Sequence, residues 1–257
     1  MIWETILYSI KDKVGVITLN RPEANNTFNI RMAEELNEAL RNMDKEPGVN
    51  VVVINANGRN FCTGIDVNYV DGKSMDEYLQ WVRLMEEMNM TIAHMKKPVI
   101  ASVHKIAVAN GVGLVAACDL AIAADNSKFG ATAINVGLFC MGPAVALYKS
   151  LGRKRTLELI MTGDLIGADE ALRIGLINKV VPEDKLEEET MKYASKLAAK
   201  SPRAMQLGKR SFYDMEDLKF EDALEMTNYH FAFLCTTDEA REGVSAFLEK
   251  REPIWAK

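Results

Sequence analysis

Residues 104–124 read HKIAVANGVGLVAACDLAIAA. A short polar start runs into Asn110-Gly111-Val112-Gly113, then into an almost wholly apolar stretch broken by Cys118 and Asp119. The pattern predicts a turn, a buried helix and a return to a sheet through LAIAA (120–124). Working outward, KKPVIASV (96–103) reads as a strand that ends several residues ahead of the glycines. NVVVINA (50–56) is a buried strand by its continuous apolar run, followed by a glycine-bearing loop, NGRNFCTGIDV (57–67).

The first fifty residues predict two short strands, TILYSI and VGVITLN, turning at Lys11-Asp12-Lys13. A polar loop, NRPEANNTF (20–28), precedes a helix with Asn29 as its N-cap and Met32, Leu36, Leu40 and Met43 at helical spacing. Ser74 and Glu77 form a capping box for a helix to about Met95, with Leu79, Val82, Met85, Ile92 and Met95 as its apolar face. After residue 142 the reading is helical over 143–150, 153–162 and 168–174, the last stopped by Gly175 at C′. One strand, INKVV, follows, and only helices from residue 183. Thr236 and Glu239 form a capping box for the last long helix, with Ala240, Val244, Phe247 and Leu248 on one face. Strands alternating with helices make this an α/β chain with parallel pairing and βαβ crossovers. The helical tail cannot bury its apolar faces alone and must pack on the core or on another subunit.

At 257 residues, with 48% apolar and 26% charged residues, the chain suits one sizeable domain, or a core plus a smaller appendage. Its net charge of −5 and lack of any basic run exclude a general nucleic-acid binder. Cys62, Cys118, Cys140 and Cys235 have no metal-ligand or disulfide spacing, so no metal site is expected and a reducing compartment is the simpler reading. The N-terminus lacks the form of a secretory signal, and no apolar run is long enough to span a membrane. A cytoplasmic location is expected.

Three features carry candidate chemistry. Gly111-Val112-Gly113-Leu114-Val115-Ala116 fits G-x-G-x-x-A, a variant of the dinucleotide fingerprint, but no acidic residue follows on a second strand, so a nicotinamide oxidoreductase is disfavoured. The loops FCTGID (61–66) and ANGVG (109–113) each follow a buried strand. They are either ordinary glycine turns or two sets of N–H donors aimed at one carbonyl oxygen. Of the three histidines, His94 closes a helix, His230 lies in an aromatic helical run, and only His104, directly after a strand, is placed to reach a site.

In this order the loops resemble the crotonase superfamily of enoyl-CoA hydratases and isomerases, over nearly the whole chain. NRPEANNTFN resembles the family's early CoA loop. GRNFCTGIDV and PVIASVHKIAVANGVGLVAACDLAIAADNSKFG resemble its two oxyanion loops. LELIMTGDLIGADEALRIGLINKVVP and TTDEAREGVSAFLEKREP resemble its C-terminal half. The resemblance implies a crotonase-like spiral of ββα units over residues 1–195, holding the acyl-CoA site, and a helical trimerisation region over 196–257. It implies a homotrimer or a dimer of trimers. It further implies an acyl-CoA thioester, coenzyme A entering as part of the substrate and not as a prosthetic group. The carbonyl would be held by the N–H groups of Ile65 and Asn110. Ala24, Asn25 and Asn26 would lie near the adenine and phosphates, Gly64 and Asp66 belong to the first oxyanion loop, and Phe231 and Lys250 match tail residues that hold CoA.

The departures are specific. The positions of the two hydratase glutamates are Gly113 and Ala133, which can neither activate water nor supply an α-proton. Asn110 stands where the family usually has glycine, and its amide is a candidate contact to the acyl group. Cys140 and Met141 fall where some relatives carry a working group. Cys140 is therefore a candidate nucleophile or, more simply, a wall residue. Asp71 and Glu77 sit in the 66–80 segment, a candidate source of a base for isomerisation, and read as surface charges. The expectation is an acyl-CoA enzyme of this family, a lyase or isomerase, that stabilises a thioester enolate with weak or absent hydratase activity. Decarboxylation, isomerisation and thioester hydrolysis stay open. The alternative is a non-catalytic acyl-CoA binder or interaction subunit.

Overall fold

The structure, a computed structural model, describes residues 3–70 and 72–256. Nine strands and nine α-helices follow one another in these residues: β1 (Ile6–Lys11), β2 (Val14–Leu19), α1 (Ile30–Lys45), β3 (Val51–Ala56), α2 (Met75–His94), β4 (Val99–Val103), β5 (Ile106–Val108), α3 (Asn110–Ala117), β6 (Leu120–Ala124), β7 (Lys128–Gly130), α4 (Met141–Thr162), β8 (Ile166–Gly167), α5 (Ala168–Arg173), β9 (Lys179–Val181), α6 (Leu186–Ala198), α7 (Pro202–Met215), α8 (Phe220–Cys235) and α9 (Asp238–Leu248). No helix among them is long and apolar enough to cross a membrane.

Six strands form the main sheet in the order β1-β2-β3-β4-β6-β9, antiparallel at β1–β2 and parallel beyond. The central strands are apolar on both faces because both are covered. Val52 and Ile54 of β3, with Val99, Ala101 and Val103 of β4, join the larger core against α1, α2 and α3. Their neighbours Val51, Val53 and Ile100 pack on the other face with Leu186, Ala194 and Ala198 of α6. The α6 helix thus continues past residue 195, where the sequence placed a boundary, and the chain leaves the sheet only at Ser201, the N-cap of α7. A second, three-stranded sheet runs β5-β7-β8. Its strands are two or three residues long, too short to give a periodic signal, and were not expected. Because of β5, strand structure continues to within two residues of Asn110 instead of ending at Val103.

Local signals worked where the chain satisfies itself. Asn29 caps α1 by accepting from Met32 N at 2.8 Å. Ser74 and Glu77 cap α2 reciprocally, which spends the Glu77 carboxylate on the helix end. Gly152, at φ +70°, breaks α4 where two helices were read, and Gly175, at φ +87°, follows α5. Two expectations are corrected. The buried ridge of α2 is Trp81, Met85, Met88 and Ile92, with Leu79 and Val82 exposed. The cap of α9 is Thr237, because Glu239 is drawn away to Ser201 Oγ and Arg203 N of α7. Val244, Phe247 and Leu248 of α9 are exposed, as are Phe212, Phe220, Tyr229, Phe231 and Phe233 on α7 and α8.

The α7 helix is tied to the core by one buried polar cluster. Asp119 accepts from Val99 N at 2.7 Å, Lys209 Nζ at 2.6 Å and the Tyr213 hydroxyl at 2.9 Å. Lys209 also donates to the Lys97 carbonyl at 3.0 Å. Replacing Asp119 by alanine leaves the Lys209 charge buried without its counter-ion. The expected loss is about 3–5 kcal/mol, read as a lowered midpoint in guanidinium unfolding, while Asp125→Ala on the surface is close to neutral.

Candidate active site

The first loop is built around Asn26, which is fully buried. Its amide donates to the carbonyls of Asn57 and Asn60, both at 2.8 Å, and its Oδ1 accepts from Arg21 N at 2.8 Å. This locks the 20–28 loop against residues 57–60, and Asn25 and Asn26 hold left-handed conformations at φ +50° and +55°. Arg21 reaches on to Asp66 at 3.3 Å. Burial acts to raise the Asp66 carboxyl, but hydrogen bonds from Asn68 and Arg21 and the guanidinium charge outweigh it and hold it below the usual carboxylate value.

Gly64 adopts φ +107°, and a Cβ there would fall 2.9 Å from that of Ala109. Ile65 next to it pairs with Phe28 as a parallel bridge, with Phe28 N donating to Gly64 O and Asp66 N donating to Phe28 O, both at 2.8 Å. In such a bridge the N–H of Ile65 itself points to the opposite side. The second loop closes β5 and opens α3. Ala109 sits at φ +50°, ψ −120°, a conformation costly for any residue with a Cβ. It is over-determined: its N–H donates to Gly130 O at 2.9 Å and its carbonyl accepts from Gly113 N at 3.1 Å. Asn110 is the first residue of α3, so its N–H has no partner within the helix.

The two loops are stitched together. Cys62 N donates to Ile106 O at 3.1 Å and Val108 N donates to Cys62 O at 3.0 Å. A Cβ on Gly64 would lie 3.8 Å from Asn110 N, so the two turns adjoin. Two N–H groups on adjoining turns are the arrangement that can hold a carbonyl oxygen as charge develops on it.

One carboxylate beside these turns escaped the sequence reading. Glu86, on the flank of the α2 ridge, accepts from Asn110 Nδ2 at 2.8 Å and from Asn89 Nδ2 at 2.7 Å. The Asn110 amide is therefore committed to Glu86, where the sequence suggested the acyl group. A Cβ on Gly142 would fall 2.1 Å from the Glu86 carboxyl carbon. Burial pushes the Glu86 carboxyl up, and the two amide donors offset only part of that. In the sequence Glu86 is one of two adjacent glutamates on a helix, and nothing local distinguishes it from Glu87.

Gly113 and Ala133, where the resemblance would place the hydratase glutamates, have different surroundings. A Cβ on Gly113 would meet the Pro143 ring at 3.0–3.1 Å, so the helix backbone is packed where a carboxylate would start. Ala133 lies in a short 3-10 turn, and Cys140 makes a backbone hydrogen bond with it. Cys140 is buried and caps α4, and burial pushes its thiol up, further helped by the Glu86 charge. His104 is bound through Nε2 to the Gly58 carbonyl at 3.0 Å. Ala24 ends a short 3-10 turn in the first loop. Phe231 and Lys250 are exposed on α8 and just beyond α9. Asp71 lies outside the described residues. A shallow cleft of about 450 Å³ lined by Arg31, Glu34, Asp66, Tyr69 and Trp81 flanks the first loop but includes neither Asn110 nor Glu86.

The glycine pattern of α3 serves packing. A Cβ on Gly111 would strike the Cys62 carbonyl at 2.2 Å, and Gly113 abuts Pro143, so neither glycine leaves its face open to a pyrophosphate. Residues 9–257 match the family model for enoyl-CoA hydratase/isomerase. The chain belongs to this family, within the crotonase superfamily. It is 36% identical over 247 residues to the mitochondrial enoyl-CoA hydratase domain-containing protein 3 of Rattus norvegicus, covering 96% of this chain and 82% of that one. Its fold superposes with a TM-score of 0.95 on an enoyl-CoA hydratase from Mycobacterium smegmatis, at 38% identity over 99% of this chain and all of that one. The structure of human enoyl-CoA hydratase domain-containing protein 3 gives 0.94 at 36% identity, over 98% of this chain and all of that one. The α/β core with its C-terminal helices is thus the crotonase fold.

The thiols of this family member should separate by burial. Cys62 is pushed up to about 12, and Cys118 and Cys140 are also raised by burial, whereas Cys235 is exposed. Titration of the native protein with a chromogenic disulfide at pH 7 should give one fast thiol, abolished by Cys235→Ser. Fast reaction at Cys140 would contradict its burial.

Proposed function

We propose that this protein binds acyl-CoA thioesters with the carbonyl oxygen between the N–H groups of Ile65 and Asn110, and stabilises the enolate that forms there. The observation that carries the reading is the pairing of Cys62 with Ile106 and Val108, which sets the two donor-bearing turns side by side. Family membership supports acyl-CoA as the substrate class, with coenzyme A entering as part of the thioester. In this reading Ala24 and Asn25 line the adenine and phosphate end, with Asn26 buried behind them holding the loop and not touching the ligand, and Phe231 and Lys250 hold CoA across a subunit boundary. The exposed apolar residues of α7–α9 support a homotrimer or a dimer of trimers, since isolated faces of that kind are covered in stable proteins.

Hydration needs one group to activate water and another to protonate the α-carbon, and Gly113 and Ala133 supply neither. Loss of such acid–base catalysis removes roughly 10²–10⁴-fold in rate. The reading therefore favours reactions with fewer proton carriers: decarboxylation, isomerisation or thioester hydrolysis. The carbonyl is tested by comparing butyryl-CoA with S-butyl-CoA, which keeps the chain but lacks the oxygen. Calorimetry should show butyryl-CoA binding about tenfold tighter, as two hydrogen bonds of roughly 0.5–1.5 kcal/mol predict. Equal affinities would remove the oxyanion hole from the account. Crotonyl-CoA, followed by loss of its enoyl-thioester absorbance, should be hydrated slowly or not at all, and brisk hydration would overturn that part of the reading.

A further inference from the structure

Three of the carboxylates that tie this fold together face a cation. Glu35 pairs with Arg31 at 2.8 Å, Asp66 with Arg21 at 3.3 Å and Asp119 with Lys209 at 2.6 Å. Glu86 does not. Among the described residues its partners are two neutral amides, Asn110 from α3 and Asn89 from its own helix, and the Cys140 thiol and Gly142 face it from α4. A partly buried carboxylate without a counter-ion costs free energy, and a structural role would be served as well by a neutral side chain. The cost is nevertheless built in. Any side chain at position 142 would overlap the carboxyl group, with 2.1 Å to Cδ and Oε1 and 2.6 Å to Oε2. The first turn of α4 is thus cut away at the atoms of Glu86.

The position is also the useful one. Asn110 holds Glu86 through its side chain while its own backbone N–H is one of the two proposed carbonyl donors, so the acid group stands one residue away from the carbonyl site. Its charge is also felt at Cys140, the residue that precedes α4. We propose that Glu86 is the proton carrier of this chain, a catalytic residue delivered from α2, which exchanges a proton with the α-carbon of the bound thioester. The inference rests on the thioester reading above.

For a 3-enoyl thioester the step balances with one base. The Glu86 carboxylate takes a proton from C2, and the C–H electron pair moves into the thioester, forming a dienolate whose oxygen lies between the Ile65 and Asn110 N–H groups. Protonated Glu86 then returns the proton to C4. The electrons flow back from oxygen, the double bond moves from C3–C4 to C2–C3, and the carboxylate is regenerated with no atom gained or lost. Asn89 suits both states of the acid. Its Nδ2 donates to the carboxylate, and its Oδ1, buried without a partner, can accept from the protonated form after a turn of the amide. Burial, which raises the Glu86 carboxyl, brings its proton exchange toward neutral pH.

The test uses 3-hexenoyl-CoA in D₂O, with butyryl-CoA affinity measured in parallel. The full-length protein should form the conjugated 2-enoyl thioester, with deuterium at C4 only to the extent that protonated Glu86 exchanges with solvent before it returns its proton. The rate should climb with pH through a pKa above the ordinary carboxylate value, because the charged form is the base. Glu86→Gln should lower the rate at least about 100-fold and abolish that pH limb, with butyryl-CoA affinity held within about threefold. Glu86→Asp should recover part of the rate. Gly142→Ala, which displaces the carboxylate without deleting it, should also lose the rate while its thermal unfolding shows it folded. A Glu86→Gln variant as active as the parent overturns the assignment, and so does a parent protein that binds butyryl-CoA by its carbonyl but moves no proton. In the second case the thioester reading stands. If butyryl-CoA binds no better than S-butyl-CoA, both fail together.

Discussion

The geometry of the candidate site depends on two backbone hydrogen bonds between chain segments more than forty residues apart, from Cys62 N to Ile106 O and from Val108 N to Cys62 O. They join the loop after β3 to β5 by a single parallel bridge, Cys62 to Ala107, and set the turns of Ile65 and Asn110 side by side. Their price is local. The close approach excludes a Cβ at Gly64 and at Gly111, and it forces Ala109 into a conformation that only the surrounding bonds to Gly130 and Gly113 sustain. Strain of this kind persists where neighbours over-determine it, and here it sits at the N-cap of α3, immediately before the helix's first N–H.

Around that pair the carboxylate comes from α2, while Gly113 and Ala133 bring none. At Gly113 the helix lies against Pro143, where a Cβ would be tight, while at Gly142 the missing side chain leaves room for Glu86. These two glycines do opposite things: one permits helix packing and the other admits a carboxylate. The asparagine at 110 joins both halves, since its amide serves Glu86 and its backbone opens α3. A change in any of Glu86, Asn110 or Gly142 therefore acts on the other two, and their effects should not add.

The C-terminal helices depend on the core in a different way. The α7 helix reaches the sheet through Lys209 and Tyr213 on Asp119, a buried cluster in which the lysine is compensated twice. Beyond it, α8 presents Phe220, Tyr229, Phe231 and Phe233 outward. One chain does not bury these faces, which is the physical ground for expecting self-association.

Much of this was legible in the residues. Continuous apolar runs marked β3, β4 and β6, Asn29 and Ser74 announced their helices, and the order of the loops pointed to the family. Each signal arises from groups close in the chain, or from burial so complete that no polar residue is tolerated. The ridge of α2 and the cap of α9 were misread because tertiary partners decide them. Trp81 turns inward against α2's neighbours, and Glu239 leaves its own helix end for Ser201. By itself the sequence determined most of the elements that form, which loops carry glycine, and that positions 113 and 133 hold Gly and Ala. Only the tertiary structure decided that Glu86, and not Glu87, stands beside Asn110, because that choice is made by α2 packing across α3 and α4 and by the space left at Gly142, contacts that have no signature along the chain.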